Sequence, residues 1–107
     1  MKIAIIGSRN LSPTINISID GVDEIISGGA VGVDTSAYQY AIAKKISCTV
    51  IKPDYKKYGR CAPIVRNKVI VDSCDILYAF WDGLSKGTKF TIDYAKKQNK
   101  TVVVLSA

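Results

Sequence analysis

The sequence contains no histidine. Serine–histidine and cysteine–histidine nucleophile pairs are therefore excluded, as are histidine-ligated zinc or haem and any imidazole general base. Cysteine is scarce. Cys48, Cys61 and Cys74 are odd in number, far apart and never in a C-x-x-C spacing, so neither a zinc knuckle nor a thioredoxin-type motif is available. They read as reduced thiols, with Cys48 and Cys74 as small core residues. No apolar run reaches the roughly 18 residues of a membrane span. The opening run, Met1 to Gly7, is too short for a signal peptide. The expectation is a cytoplasmic protein with no membrane partner, no metal and no cofactor. Acidic side chains are also in deficit, 9 against 15 lysines and arginines, for a net charge of +6.

That surplus is unevenly placed. Residues 1–51 balance four basic against four acidic side chains, whereas residues 52–107 carry eleven against five. Six of the basic groups fall between Lys52 and Lys68 against Asp54 alone. A phosphate-bearing partner fits this distribution; a solvated lysine surface is the preferred reading for Lys89, Lys96, Lys97 and Lys100. With 107 residues, 48% of them hydrophobic and 22% charged, the chain is expected to form one compact domain of radius about 13 Å.

The pattern along the chain alternates strands and helices. Met1–Ile6 is a continuous apolar run ending at Gly7, as in a strand buried on both faces. Residues 12–19 suggest a short helix, with Ser12 as N-cap and Pro13 at its first position. Asp23–Ser27 reads as a second strand. Val33 to about Lys45 reads as a helix, with Asp34 at its start and Ala37, Ala41 and Ile42 on one face. A third strand over Cys48–Lys52 ends at Pro53, and the turn-rich residues 53–60 read as a long loop. A helix is expected from Pro63 to about Ser73, with Ile64, Val65, Val69 and Ile70 apolar. A fourth strand follows over Asp75–Phe80. Thr88 to about Gln98 is a helix with Thr91, Ile92 and Ala95 on one face, and Thr101–Leu105 a β-branched closing strand. This order predicts an α/β fold: a Rossmann-like, doubly wound parallel five-stranded sheet, order 3-2-1-4-5, helices on both faces. Its ligand position is the switch point between strands 1 and 4, outside the carboxyl ends of the strands.

Three loops converge there. Gly7 lets the chain turn after the first strand, and Ser8 and Arg9 offer a hydroxyl and a planar cationic fork suited to phosphate. The run Ser27-Gly28-Gly29-Ala30-Val31-Gly32-Val33-Asp34 opens a helix, so its backbone N–H groups can face an anion; tight packing of helix on strand is the alternative. It is neither a dinucleotide fingerprint nor a Walker A sequence. The third loop, Trp81 to Thr88, again opens a helix. Thr88 caps it or points its hydroxyl at a ligand. Trp81 either stacks on a base or belongs to the core. Asp82 reads more readily as a loop cap than as an acid, and Ser85 and Gly87 complete the loop. Arg66-Asn67 is, by spacing alone, an exposed polar pair.

Taken together these residues resemble the SLOG superfamily. That group includes the Lonely Guy phosphoribohydrolases, the DNA-processing protein A fold and small stand-alone Rossmann-like members with predicted nucleotide-binding roles. The resemblance spans nearly the whole chain and rests on Gly7-Ser8-Arg9, the Ser27–Asp34 run, Pro63-Ile64-Val65-Arg66-Asn67 and Gly87-Thr88. It implies that Arg66 and Asn67 sit beside a phosphate site. The enzymes of the group carry G-G-x-G-T-x-x-E, whose glutamate helps cleave an N-glycosidic bond. Here Thr91 stands in the glutamate's place and cannot serve as a carboxylate acid or base. The resemblance therefore implies a phosphate cradle without the known catalytic acid, and no residue is assigned a catalytic role.

Three functions follow as expectations. The leading one is a sensor or sequestering module for a nucleotide or nucleotide-derived ligand, such as an ADP-ribose derivative, as related SLOG domains are in antiviral systems. Its ligand-binding set is Gly7, Ser8, Arg9, Gly28, Gly29, Ala30, Gly32, Val33, Asp34, Arg66, Asn67, Trp81, Asp82, Ser85, Gly87 and Thr88. The second is nucleotide N-glycosidic hydrolysis with a relocated carboxylate, Asp82 or Asp34. The third is single-stranded DNA binding through Tyr55 and Tyr58 beside Lys56, Lys57 and Arg60. A homodimer is expected, because members of the superfamily commonly pair.

Overall fold

The computed structural model describes residues 1–8, 11, 15, 17, 20–28 and 32–105. Arg9, Gly29, Ala30 and most of the helix expected over 12–19 lie outside the described residues. The strands are β1 (Lys2–Gly7), β2 (Glu24–Ser27), β3 (Ser47–Val50), β4 (Ile76–Phe80) and β5 (Thr101–Leu105). The helices are α1 (Val33–Ala43), the single turn α2 (Tyr55–Tyr58), α3 (Ala62–Ser73) and α4 (Lys86–Lys97). All strands pair in parallel in the order β3-β2-β1-β4-β5. Ala4 faces Ile26 on one side and Leu77 on the other. The expected α/β architecture and strand order are thus those observed, with a radius of gyration of 12.6 Å.

The apolar run of β1 explains the layering. Successive side chains of a strand point to opposite faces. Ala4 and Ile6 therefore pack with Ile70 and Val71 of α3 and Ile92 and Ala95 of α4, whereas Ile3 and Ile5 pack with Val33, Ala37 and Ala41 of α1. Each fully buried isoleucine contributes about 1.5–3 kcal/mol by leaving water. Among the described residues no helix is long and apolar enough to cross a membrane.

Several local expectations are corrected. The residues after Pro53 are not an irregular loop: the Asp54 side chain accepts the Lys57 N–H at 3.2 Å and starts α2, and a 3-10 turn over Gly59–Cys61 leads straight into α3. A Pro-Asp pair marks a turn or a cap equally well, and here the cap wins. Helix α4 begins at Lys86, because Ser85 rather than Thr88 is its N-cap. Ile42, expected beside Ala37 and Ala41, is 59% exposed, and Ile64 and Val69 are 45% and 43% exposed. Their apolar neighbours occupy more than one side of each helix, and only one side meets the sheet.

Cys74 is buried, Cys48 half-buried on the edge strand β3, and Cys61 exposed. Burial pushes the Cys74 thiol up to about 11 and raises that of Cys48 as well. Alkylation of the folded protein, followed by peptide mass spectrometry, is expected to modify Cys61 first and Cys74 only after denaturation. Equal rates at Cys61 and Cys74 would contradict this burial.

Candidate functional site

A cleft of about 130 Å³ opens at the carboxyl ends of β1 and β2, beneath the first turns of α3 and α4. Ile6, Pro63 and Ile70 supply its apolar lining, and Gly7, Gly28, Asp34, Arg66, Asn67, Ser85, Gly87, Thr88 and Thr91 the rest. This is the edge at which an open α/β sheet takes its ligands.

Helix α3 delivers the cation and the amide. Proline near its start tolerates the missing N–H there, and the helix then projects Arg66 and Asn67 towards β2. The Arg66 Nη1 group donates to the Gly28 carbonyl at 2.6 Å, and its Nε donates to the Asn67 Oδ1 at 2.8 Å. The guanidinium is thus held over Gly28, where an added Cβ would lie 2.6 Å from Nη1. Arg66 is also engaged beyond these two bonds.

Helix α4 delivers the hydroxyls. The Ser85 Oγ accepts the Thr88 N–H at 3.4 Å and the Thr88 hydroxyl at 3.2 Å. Thr91, fully buried, donates its hydroxyl back to the Gly87 carbonyl at 2.9 Å. Among the described residues no acceptor meets the N–H groups of Lys86 and Gly87, so the positive end of the helix dipole opens on the cleft.

Asp34, in the first turn of α1, is 9% exposed and accepts the Gly28 N–H at 3.3 Å. The Gly28 amide, expected to be able to face an anion, meets a carboxylate of the chain itself. A buried carboxylate takes the nearest donor, and the Gly28 turn is closed by the protein's own acid. Gly32, at φ 89°, is the N-cap of α1 and makes no side-chain cap; this left-handed backbone favours glycine.

Other expected site residues lie outside the cleft lining. Ser8 is 2% exposed; its N–H donates to the Phe80 carbonyl at 2.9 Å and its Oγ accepts the Asp82 N–H at 3.2 Å. It ties the ends of β1 and β4 together. Val33 is 1% exposed in the core beneath α1. Trp81 is half-buried against the core, and its indole N–H donates to the Ser85 carbonyl at 3.0 Å. The Asp82 Oδ1 accepts the N–H groups of Leu84 and Ser85, both at 2.8 Å, and these bonds hold its carboxyl below the usual aspartate range. Asp82 is therefore the loop cap that presents Ser85. Arg9, Gly29 and Ala30 fall outside the described residues.

Four lining residues were not among those expected: Ile6, Pro63, Ile70 and Thr91. Thr91 was singled out for the acid it lacks, and its four-residue spacing from Gly87 was the signal that both line one side of α4. Among the described residues no group of three or more histidine, cysteine, aspartate or glutamate side chains is placed to hold a metal ion.

No family model and no curated protein sequence matches the chain. Among solved structures it is similar to DNA processing protein A from Helicobacter pylori, whose structure was described for a unique single-stranded DNA binding mode. The two share 22% identity at a TM-score of 0.75, over 97% of this chain and 64% of that one. The chain thus spans less than two thirds of that protein's length. At this identity the likeness is one of fold, and the chain has the Rossmann-like fold of DNA processing protein A.

Proposed function

We propose that the cleft binds the phosphate-bearing part of a nucleotide or nucleotide-derived molecule and does not turn it over. The observation that carries this is the meeting of Arg66, Asn67 and the open N-terminus of α4 in one cleft at the carboxyl edge of the sheet. A guanidinium and helix amides are the groups that hold phosphate oxygens. The Ser85 hydroxyl, which accepts from Thr88, keeps its own proton to donate, whereas the Thr88 and Thr91 hydroxyls already donate to Ser85 and Gly87. Turnover is disfavoured because the position of a catalytic glutamate is taken by Thr91, Asp82 is outside the lining, and Asp34 already accepts the Gly28 N–H. The same reading takes residues 1–107 as one SLOG-like nucleotide-binding domain that senses or sequesters its ligand.

Isothermal titration with nucleoside mono- and diphosphates, ADP-ribose derivatives and pyrophosphate tests it. Phosphorylated compounds are expected to bind, the corresponding nucleosides to give no heat, and chromatography to show no released base. Absence of binding by every phosphorylated compound would overturn the reading, and base release would replace it with the hydrolase.

A second reading, single-stranded DNA binding, is supported by the fold shared with a protein described as binding such DNA. On the same sheet edge, Tyr55 and Tyr58 are 59% and 40% exposed beside exposed Lys56, Lys57 and Arg60, and the Lys57 ammonium lies 5.2 Å from the Tyr58 ring centre. Phosphate-dominated binding there is expected to weaken steeply with salt. Retention unchanged across a salt series would rule this mode out.

A further inference from the structure

The cleft holds only part of a nucleotide. Its volume is about 130 Å³, against roughly 300–1,000 Å³ for a pocket that buries a whole drug-sized molecule. A phosphate group fits within it, and the base of the same molecule has to lie at the mouth. What stands at the mouth therefore decides which phosphorylated compounds are held.

The register of α3 against α4 shows what that is. The Lys68 ammonium lies 6.0 Å from the Phe90 ring centre, and the Tyr94 hydroxyl donates to Asp72 at 3.1 Å. Each pair is 22 residues apart in sequence. Residues four apart share a helix face, so Ile64, Lys68 and Asp72 form one stripe of α3 along α4. The same offset sets Ile64 beside Lys86, the first residue of α4 and two residues after Leu84. Leu84 is 84% exposed and Ile64 45% exposed. Their sequence neighbours Ser85 and Pro63 line the cleft, and consecutive Cα atoms stand only about 3.8 Å apart. An isolated exposed leucine is ordinary protein surface, but this one is held at the rim. The Asp82 Oδ1 accepts the Leu84 and Ser85 N–H groups, both at 2.8 Å, and the Trp81 indole donates to the Ser85 carbonyl at 3.0 Å. Gly83, at φ 83°, supplies the left-handed turn between them.

We infer, resting on the reading of the cleft as a phosphate site, that Leu84 and Ile64 form an aliphatic ledge on which the base of the bound nucleotide lies. The ledge makes the site one for nucleotides rather than for sugar phosphates or inorganic phosphate. Neither side chain carries a hydrogen-bond donor or acceptor, so the edges of the base are not read. The gain follows the apolar area removed from water, and a purine covers more of the ledge than a pyrimidine.

The test is titration of wild type, Leu84→Ala, Ile64→Ala and Leu84→Met with AMP, UMP and the ribose phosphate that lacks a base, with circular dichroism to verify folding. Wild type is expected to bind AMP most tightly, UMP less so and the ribose phosphate most weakly. Leu84→Ala is expected to lose roughly five- to tenfold in AMP affinity, and Ile64→Ala less, because its side chain is already partly covered. The ribose phosphate should not follow this loss. Leu84→Met keeps the apolar area and should bind AMP as wild type does. Equal affinity of wild type for AMP and the ribose phosphate overturns the inference while the cleft stands, and so does a Leu84→Ala variant that binds AMP undiminished. A fall of the same size for all three compounds also overturns it, because the side chain would then act on the phosphate site. Sedimentation in which wild type self-associates and Leu84→Ala does not, with AMP affinity unchanged, gives the ledge to a second copy of the chain instead. Binding of none of the three compounds by wild type removes the phosphate reading of the cleft and the ledge with it.

Discussion

Replacing Gly7 by alanine is expected to destabilise the protein by about 3 kcal/mol or more, the upper range of overpacking in a closed core. A Cβ at this position would overlap the Val33 Cγ2 and lie 2.7 Å from the Phe80 carbonyl oxygen and 2.9 Å from the Val33 Cβ. Neither neighbour can yield. The carbonyl is backbone, fixed by the pairing of Gly7 with Phe80 across β1 and β4 and by the Ser8 N–H it accepts at 2.9 Å. Val33 is β-branched, 1% exposed, and begins α1. Relief would need α1 to lift from the sheet or the β1–β4 ladder to part at its end. Against a total stability of about 5–15 kcal/mol for a domain of this kind, that is a large share. Urea or thermal denaturation measures it, with a midpoint lower by roughly 12 °C or more. A variant as stable as the parent would mean that this close approach is not kept in solution.

Gly7 also shows how far the sequence could be read. An apolar run closed by glycine located the end of β1, and the alternation of apolar runs with helical spacing was enough for the strand order, because right-handed crossovers leave few alternatives. The purpose of the glycine was less legible. It lines the cleft, but the restraint on its side chain comes from Val33 and Phe80, residues remote from it in sequence. Ser8 has the same history: a hydroxyl beside a glycine suggests a ligand contact, yet it accepts the Asp82 N–H, whereas Asp82 is the loop cap its position suggested. Short polar side chains satisfy backbone donors wherever turns expose them, and sequence spacing does not distinguish that use from recognition. Arg66 and Asn67 ran the other way. Their spacing alone suggested a surface pair and the family resemblance a place beside phosphate; the position of α3 over the end of β2 carries them into the cleft. Thr91 went unassigned because its missing carboxylate drew attention from its position on the lining side of α4.

Replacing Gly28 by alanine is expected to separate recognition from stability, the reverse of the Gly7 result. All three of the nearest atoms to the added Cβ belong to the Arg66 side chain: Nη1 at 2.6 Å, Cζ at 3.1 Å and Cδ at 3.4 Å. A flexible arginine can swing away, and the Gly28 N–H bond to Asp34 does not involve the new carbon. Stability should therefore fall by less than for Gly7→Ala, by no more than the about 1.5–3 kcal/mol of the Arg66–Gly28 hydrogen bond that is given up. The displaced guanidinium gives up its bond to the Gly28 carbonyl and its place beside Asn67. A phosphorylated ligand then loses its own bond to the guanidinium, worth about 1.5–3 kcal/mol for a charged group, so affinity should fall roughly ten- to a hundredfold. Arg66→Ala should lose a similar amount, and the double variant little more than either, since both substitutions remove one interaction. Arg66→Lys should not restore binding, because a single ammonium cannot span Gly28 and Asn67 as the planar fork does. Titration of the four variants, with melting curves measured alongside, gives the answer. If Gly28→Ala binds as the parent does while Arg66→Ala fails, the guanidinium reaches phosphate from another position and the latch over Gly28 is only structural. If both bind as the parent does, Arg66 has no part in recognition.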